Sequence, residues 1–121
     1  MADLEDGMYG GNDTFNPANS PVDNDFNTLM LKGRNCEMSL KAGDAQAGRL
    51  VSKYHGGRPT HAAYEPMKKQ GGIILGTGGD SSDRSLGIFY EGAMASGYAS
   101  SATDDAIQAN IVAAGYRNAT A

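Results

Sequence analysis

Through the middle of the chain, short strand-like runs of apolar residues alternate with turn residues: Phe26–Lys32, Glu37–Lys41, Arg49–His55, Gly72–Leu75 and Leu86–Met94. The pairs around Gly33–Cys36 and around Ala42–Gly48 read as hairpins, because glycine, asparagine and aspartate cluster between the runs. Ile73-Ile74-Leu75 is apolar on consecutive residues, the pattern of a strand buried on both faces. Residues 1–10 begin as a strand and end in a glycine turn. Residues 11–25 are rich in Asn, Asp, Pro and Gly without an apolar period and read as a surface loop. Residues 56–70, with Pro59 and Pro66, form a second extended connection.

The tail changes period. Thr103 can cap a helix begun by Asp104 and Asp105, whose charges suit the positive N-terminal end of the helix dipole. Ile107, Ile111 and Ala114 then fall on one face at helical spacing, and Gly115 is placed to stop the helix. Several short strands and one C-terminal helix predict an all-β protein with antiparallel strands.

Composition narrows the picture. A chain of 121 residues is long enough for one domain. Seventeen glycines, no tryptophan and 40% hydrophobic residues suit tight turns and short strands rather than a helical bundle. A net charge of −4 and a pI near 4.9, with no basic cluster beyond Lys68-Lys69, argue against nucleic acid or an anionic membrane as partner. No apolar stretch reaches the length of a membrane span, and the first residues lack the n-region and h-region of a signal peptide. The single cysteine, Cys36, falls in the expected Gly33–Cys36 hairpin turn and reads as a free thiol. Asn12-Asp13-Thr14 and Asn118-Ala119-Thr120 are glycosylation sequons if the protein enters a secretory pathway.

Two stretches carry the candidate chemistry. Asp3-Leu4-Glu5 puts two carboxylates on alternate residues, which in an extended strand share one side. In Gly76-Thr77-Gly78-Gly79-Asp80 a carboxylate follows a glycine-rich turn at the end of an apolar run. Gly78 and Gly79 permit close backbone approach to a ligand and let Asp80 project from the turn. Two carboxylates converging from different segments are the minimal equipment for hydrolysing a glycosidic bond. The chain has fourteen acids, so spacing alone does not select these.

The surrounding words do select them. They are Asp-Leu-Glu-Asp-Gly-Met-Tyr-Gly-Gly at 3–11, Tyr-His-Gly-Gly-Arg-Pro at 54–59, Gly-Gly-Ile-Ile-Leu-Gly-Thr-Gly-Gly-Asp at 71–80, Phe-Tyr-Glu-Gly-Ala-Met-Ala-Ser-Gly-Tyr at 89–98 and Ala-Asn-Ile-Val-Ala-Ala-Gly-Tyr at 109–116. In this order the chain resembles the C-terminal half of the catalytic domain of glycoside hydrolase family 54, the α-L-arabinofuranosidase B family. The resemblance runs from residue 3 to about 116.

That resemblance implies a concanavalin-like β-sandwich, of which residues 1–121 would be the C-terminal portion. The upstream half of the catalytic domain and any arabinose-binding module would then lie outside the chain, and Met1 would be an internal methionine. It implies a retaining α-L-arabinofuranosidase that releases terminal non-reducing arabinofuranose from arabinan or arabinoxylan, secreted as the parent enzyme, without a cofactor. Glu5 would be the nucleophile and Asp80 the acid/base. Asp3, Asp6 and Gly79 fall at substrate-binding positions, where Asp6 and Gly7 replace the amide side chains usual in the family. Two other readings stand beside it: a non-catalytic carbohydrate-binding β-sandwich, and an inactive truncated fragment.

Other motifs do not hold. Ser81 stands where a dinucleotide fingerprint needs its third glycine, and no Gly-Lys-Ser/Thr follows for a P-loop. Asp23-Asn24-Asp25 opens like a calcium loop, but Thr28 replaces the required glycine and Arg34 the terminal glutamate. His55 and His61 lack companions at zinc-ligand spacing and read as loop or turn histidines, so no metal site is expected.

Overall fold

The computed structural model describes residues 20–57 and 86–119, with the backbone of Ala2–Asp3 and Gly7–Met8. Those two short strands, β1 (Ala2–Asp3) and β2 (Gly7–Met8), pair antiparallel with Asp3 opposite Gly7. A second sheet is an antiparallel meander of β3 (Asn27–Arg34), β4 (Glu37–Asp44) and β5 (Val51–Gly56), in the order β3-β4-β5. The helix α1 spans Ser101–Ala114. The chain is thus β-rich, with antiparallel strands and one C-terminal helix, consistent with part of an all-β sandwich.

The three central strands stand where the apolar runs placed them, each displaced by a few residues. Asn35 and Cys36 make the β3–β4 turn, with Arg34 paired to Glu37. Cys36 is exposed and holds φ 60°, the left-handed region that glycine and asparagine tolerate best. Between β4 and β5, Gly48 meets the same demand with φ 76°.

Strand β4 is central, and its two faces differ. Met38, Leu40 and Ala42 point to one side, where Val22 and Tyr54 pack against them. Leu40 is completely buried, an environment that stabilises a leucine by about 1.5–3 kcal/mol over exposure. Opposite-facing residues on β4 are Glu37, Ser39, Lys41 and Gly43, all polar or small, and this is the side the helix covers. On the apolar side, cover stops at the centre. Leu31, paired with Leu40, and Val51, paired with Ala42, are 66% and 59% exposed.

The helix is held by polar atoms. Ser100, not Thr103, is its N-cap: the Ser100 hydroxyl accepts from the Thr103 amide at 3.1 Å, and the Asp104 amide reaches the Ser100 carbonyl. Gly115 caps the other end with φ 71°, as its position promised. The buried face is also not the expected one. Asp104 and Gln108 face the sheet and are fully buried, whereas Ile107 is 42% exposed. The sheet face beneath carries lysines, and only a polar helix face satisfies them. Gln108 donates to the Asp44 carbonyl at 2.7 Å, pinning the middle of the helix to the end of β4.

Residues Leu86–Met94, read from sequence as a strand, form neither strand nor helix. Their apolar side chains are exposed, Leu86 and Ile88 most of all, and no described strand pairs with them. A strand requires a hydrogen-bonded neighbour, which apolar content cannot supply. Two neighbouring residues are anchored: Tyr90 packs against Phe26 and Tyr116 with ring centroids 5.4 and 5.3 Å away, and the Tyr116 hydroxyl donates to the Glu91 carboxylate, tying this segment to the start of β3 and the end of the helix. Gln46 adds a hydrogen bond to the Tyr116 carbonyl at 2.8 Å. Gly72–Leu75, residues 11–19 and residues 58–70 lie outside the described residues. No helix among the described residues is long and apolar enough to cross a membrane.

Candidate functional site

Antiparallel register builds a polar row across the helix-covered face. Lys32 on β3 and His55 on β5 both stand opposite Ser39 on β4, and residues directly opposite in a ladder share a face. Arg34 and Glu37 close the row at the turn. Arg34 pairs with Glu37 through two of its guanidinium nitrogens, one of them Nε at 2.7 Å. His55 Nε2 lies 2.9 Å from the other carboxylate oxygen of Glu37. His55 therefore belongs to a strand, not to a loop.

The segment before the helix completes this group. The Tyr98 ring lies under two cations, with Lys32 Nζ at 4.7 Å and Arg34 Cζ at 4.6 Å from its centroid. A hydrogen bond from the Tyr98 hydroxyl, then those from Arg34 and His55, hold the Glu37 carboxyl down at about 2. Burial and the same hydrogen bond to Glu37 push the Tyr98 phenol up.

Asp104 enters from the first turn of the helix. Its Oδ2 receives Lys32 at 2.5 Å and Lys41 at 2.6 Å, and Lys32 also donates to the Ala99 carbonyl. Burial alone would raise the Asp104 carboxyl; the two lysine hydrogen bonds outweigh it and keep the pKa low. The second oxygen, Oδ1, is buried without a partner among the described residues.

Above this network lies a cleft of about 340 Å³. Its floor is the strand row with Lys41, and its rim is Tyr98 and Ser100–Ser101. Chemically the cleft offers charged donors and hydroxyls. Among the described residues no group of three or more His, Cys, Asp or Glu is placed to hold a metal ion.

Of the residues singled out in the sequence, Asp3 lies on β1 with its backbone opposite Gly7. Glu5, Asp6, Gly79 and Asp80 lie outside the described residues. Conversely, sequence reasoning passed over Lys32, Arg34, Lys41, Tyr98 and Asp104. The available signal was the run of polar residues at every second position, Lys32 and Arg34 on one strand and Glu37, Ser39 and Lys41 on the next, which marks a whole polar face.

Two of the five family-like words meet in space: Tyr90 from the fourth packs on Tyr116 from the fifth. The family model for the catalytic region of alpha-L-arabinofuranosidase B matches residues 1–117. The chain belongs to the α-L-arabinofuranosidase B catalytic family. Among curated members it is 48% identical over 117 residues to a protein of Aspergillus terreus named "Probable alpha-L-arabinofuranosidase B". It is 47% identical over 117 residues to the "Alpha-L-arabinofuranosidase" of Hypocrea jecorina. In both alignments 96% of this chain and 23% of the relative are covered. An "Arabinofuranosidase/B-xylosidase" of Trichoderma koningii is also 47% identical over the same share of the chain. The chain therefore spans about a quarter of the length of the family members it matches. No solved structure matches it.

Proposed function

We propose that this chain is the part of a retaining α-L-arabinofuranosidase that supplies both catalytic carboxylates. The observation that carries the reading is the family match over residues 1–117, which takes in Glu5 and Asp80 together with the words that flank them. Glu5, ionised, attacks the anomeric carbon of a terminal arabinofuranosyl residue while Asp80 protonates the departing oxygen. The glycosyl-enzyme intermediate is then hydrolysed by water that Asp80 deprotonates, and the configuration is retained. Asp3, Asp6 and the backbone of Gly79 bind the sugar. The substrates are the arabinofuranosyl ends of arabinan or arabinoxylan, met outside the cell by a secreted parent enzyme.

The apolar edges at Leu31, Val51, Leu86 and Ile88 support a further point: catalysis belongs to the larger assembly in which these surfaces are covered, and the 121-residue chain by itself has no turnover. The decisive experiment replaces the matched quarter of the Aspergillus terreus relative with this chain and assays an aryl α-L-arabinofuranoside. The chimera turns the substrate over, and Glu5→Gln in it lowers kcat about a thousandfold or more, because an amide is too poor a nucleophile. A Glu5→Gln chimera with the unsubstituted rate refutes the assignment and makes Asp3 the next nucleophile to test.

A further inference from the structure

We propose that the cleft between Tyr98 and the polar face of β3–β5 binds a sugar carboxylate, a uronic acid residue of the polysaccharide on which the enzyme acts. The inference rests on the carbohydrate reading above and adds to it a second, anion-selective subsite. Three observations point this way.

The first is charge. Among the described residues, Lys32, Arg34 and Lys41 face two carboxylates, Glu37 and Asp104, so this cluster carries one positive charge more than it has described carboxylates, in a chain whose net charge is −4. A single carboxylate is the complement of that excess. The second is donor supply. Lys41 uses one of its three protons on Asp104 and Lys32 two of its three, on Asp104 and Ala99. Arg34 is 58% exposed at the cleft mouth, with guanidinium donors beyond those given to Glu37. The N-terminal end of the fourteen-residue helix, whose Ser101 lines the cleft, adds its partial positive charge. The third is size and surface. About 340 Å³ suits a single sugar ring better than a bare oxyanion, and the hydroxyls of Ser39, Ser100 and Ser101 are partners for ring hydroxyls.

The lysines are fixed in place by the buried Asp104, so their positive charge is held ready and neither lysine has to be ordered on binding. In such a cleft the charge-assisted hydrogen bonds to a carboxylate are the strong ones, and a neutral pentose or hexose forgoes them.

The test is titration with glucuronate, glucose, arabinose and inorganic phosphate, followed by amide NMR on the 121-residue chain and by calorimetry on the chimera described above. Glucuronate is expected to bind saturably with a dissociation constant on the order of millimolar. Shifts should concentrate at Lys32, Lys41, Tyr98 and Ser101, while the neutral sugars leave them unmoved. Arg34→Met and Lys41→Met should each weaken binding by about tenfold. Arg34 is exposed, so Arg34→Met tests the cleft even if Lys41→Met unfolds the sheet. No saturable glucuronate binding in either protein, or equal binding to Arg34→Met, overturns the proposal. Phosphate binding as tight as glucuronate overturns the sugar-acid assignment. Activity on the neutral aryl arabinofuranoside is scored separately, so loss of turnover with intact glucuronate binding counts against Glu5 and Asp80 and not against this cleft.

Discussion

Lys32 Nζ and Asp104 Oδ2 lie 2.5 Å apart although seventy-two positions separate them, and Lys41 meets the same oxygen from the neighbouring strand. One carboxylate thus fastens the C-terminal helix to two strands at once. Removing it leaves two lysines facing each other without compensation. Asp104→Ala is expected to cost about 3–5 kcal/mol, and Asp104→Asn less, since it keeps an acceptor and loses only the charge. Urea unfolding monitored by circular dichroism measures both; an Asp104→Ala variant as stable as the parent would mean that the helix is held elsewhere.

Acid should loosen the cleft through Glu37. Its carboxyl is lowered to about 2 in the folded chain, foremost by the Tyr98 hydroxyl, against about 4.3 in an unfolded one. A depressed carboxyl stabilises fully above its unfolded pKa, and that stabilisation drains away as pH falls toward the folded value. Between about pH 4.5 and 2 the parent should therefore lose stability faster than Glu37→Gln. Asp104, lowered by its two lysines, adds a slope of the same sign that Glu37→Gln leaves in place. Urea midpoints collected across this range decide the matter, and parallel curves for parent and variant would remove Glu37 as a source of acid sensitivity.

The β3–β4 turn holds a residue in a conformation it does not favour. Cys36 at φ 60° pays a steric penalty that asparagine bears more easily. Cys36→Asn should stabilise the chain by about 0.5–1 kcal/mol, and Cys36→Val should destabilise it, because branching at Cβ aggravates the left-handed conformation. Equal denaturation midpoints for the asparagine and valine variants would contradict this account.

Asp80 as acid/base is tested by leaving group. In the chimera, Asp80→Ala should be slowed severely on oligosaccharides, whose departing alcohol needs a proton, and far less in cleaving a nitrophenolate, which leaves unaided. On the aryl substrate the intermediate should accumulate. Azide should rescue it and yield an arabinosyl azide of retained configuration, because azide needs no deprotonation. Equal losses on both substrates without azide product would shift attention to Asp83.

The central sheet was legible because its information is local: Glu37 through Lys41 alternates faces, and Gly33 to Cys36 breaks the run. Strand ends were not, since Ala42 through Asp44 extend the ladder only by finding partners in Asn27–Leu29. The helix was legible as a helix, but its apolar stripe pointed to the wrong face, because what faces Asp104 is decided by lysines on two distant strands. The start was misplaced by the same ambiguity: Ser100 and Thr103 are both competent caps, and only the path of residues 98–100 across the Lys32–Arg34 pair selects the first. Leu86–Met94 misled because strand formation requires an edge to join. The Glu5–Asp80 assignment rests on family words rather than on periodicity, while the cationic cleft was hidden in polar positions that look solvated until Tyr98 and the helix are laid over them.

The meander β3–β5 closes through the Asn35–Cys36 turn and the short loop at 45–50, whereas the helix joins it through contacts between residues more than sixty positions apart. Short loops close cheaply and early, and distant contacts come late. On a ribosome the whole meander is complete before Asp104 has been made. Until then Lys32 and Lys41 remain hydrated on an open sheet, so the docking of the helix is the step at which they give up water, and ionic strength should slow it by screening their attraction to Asp104.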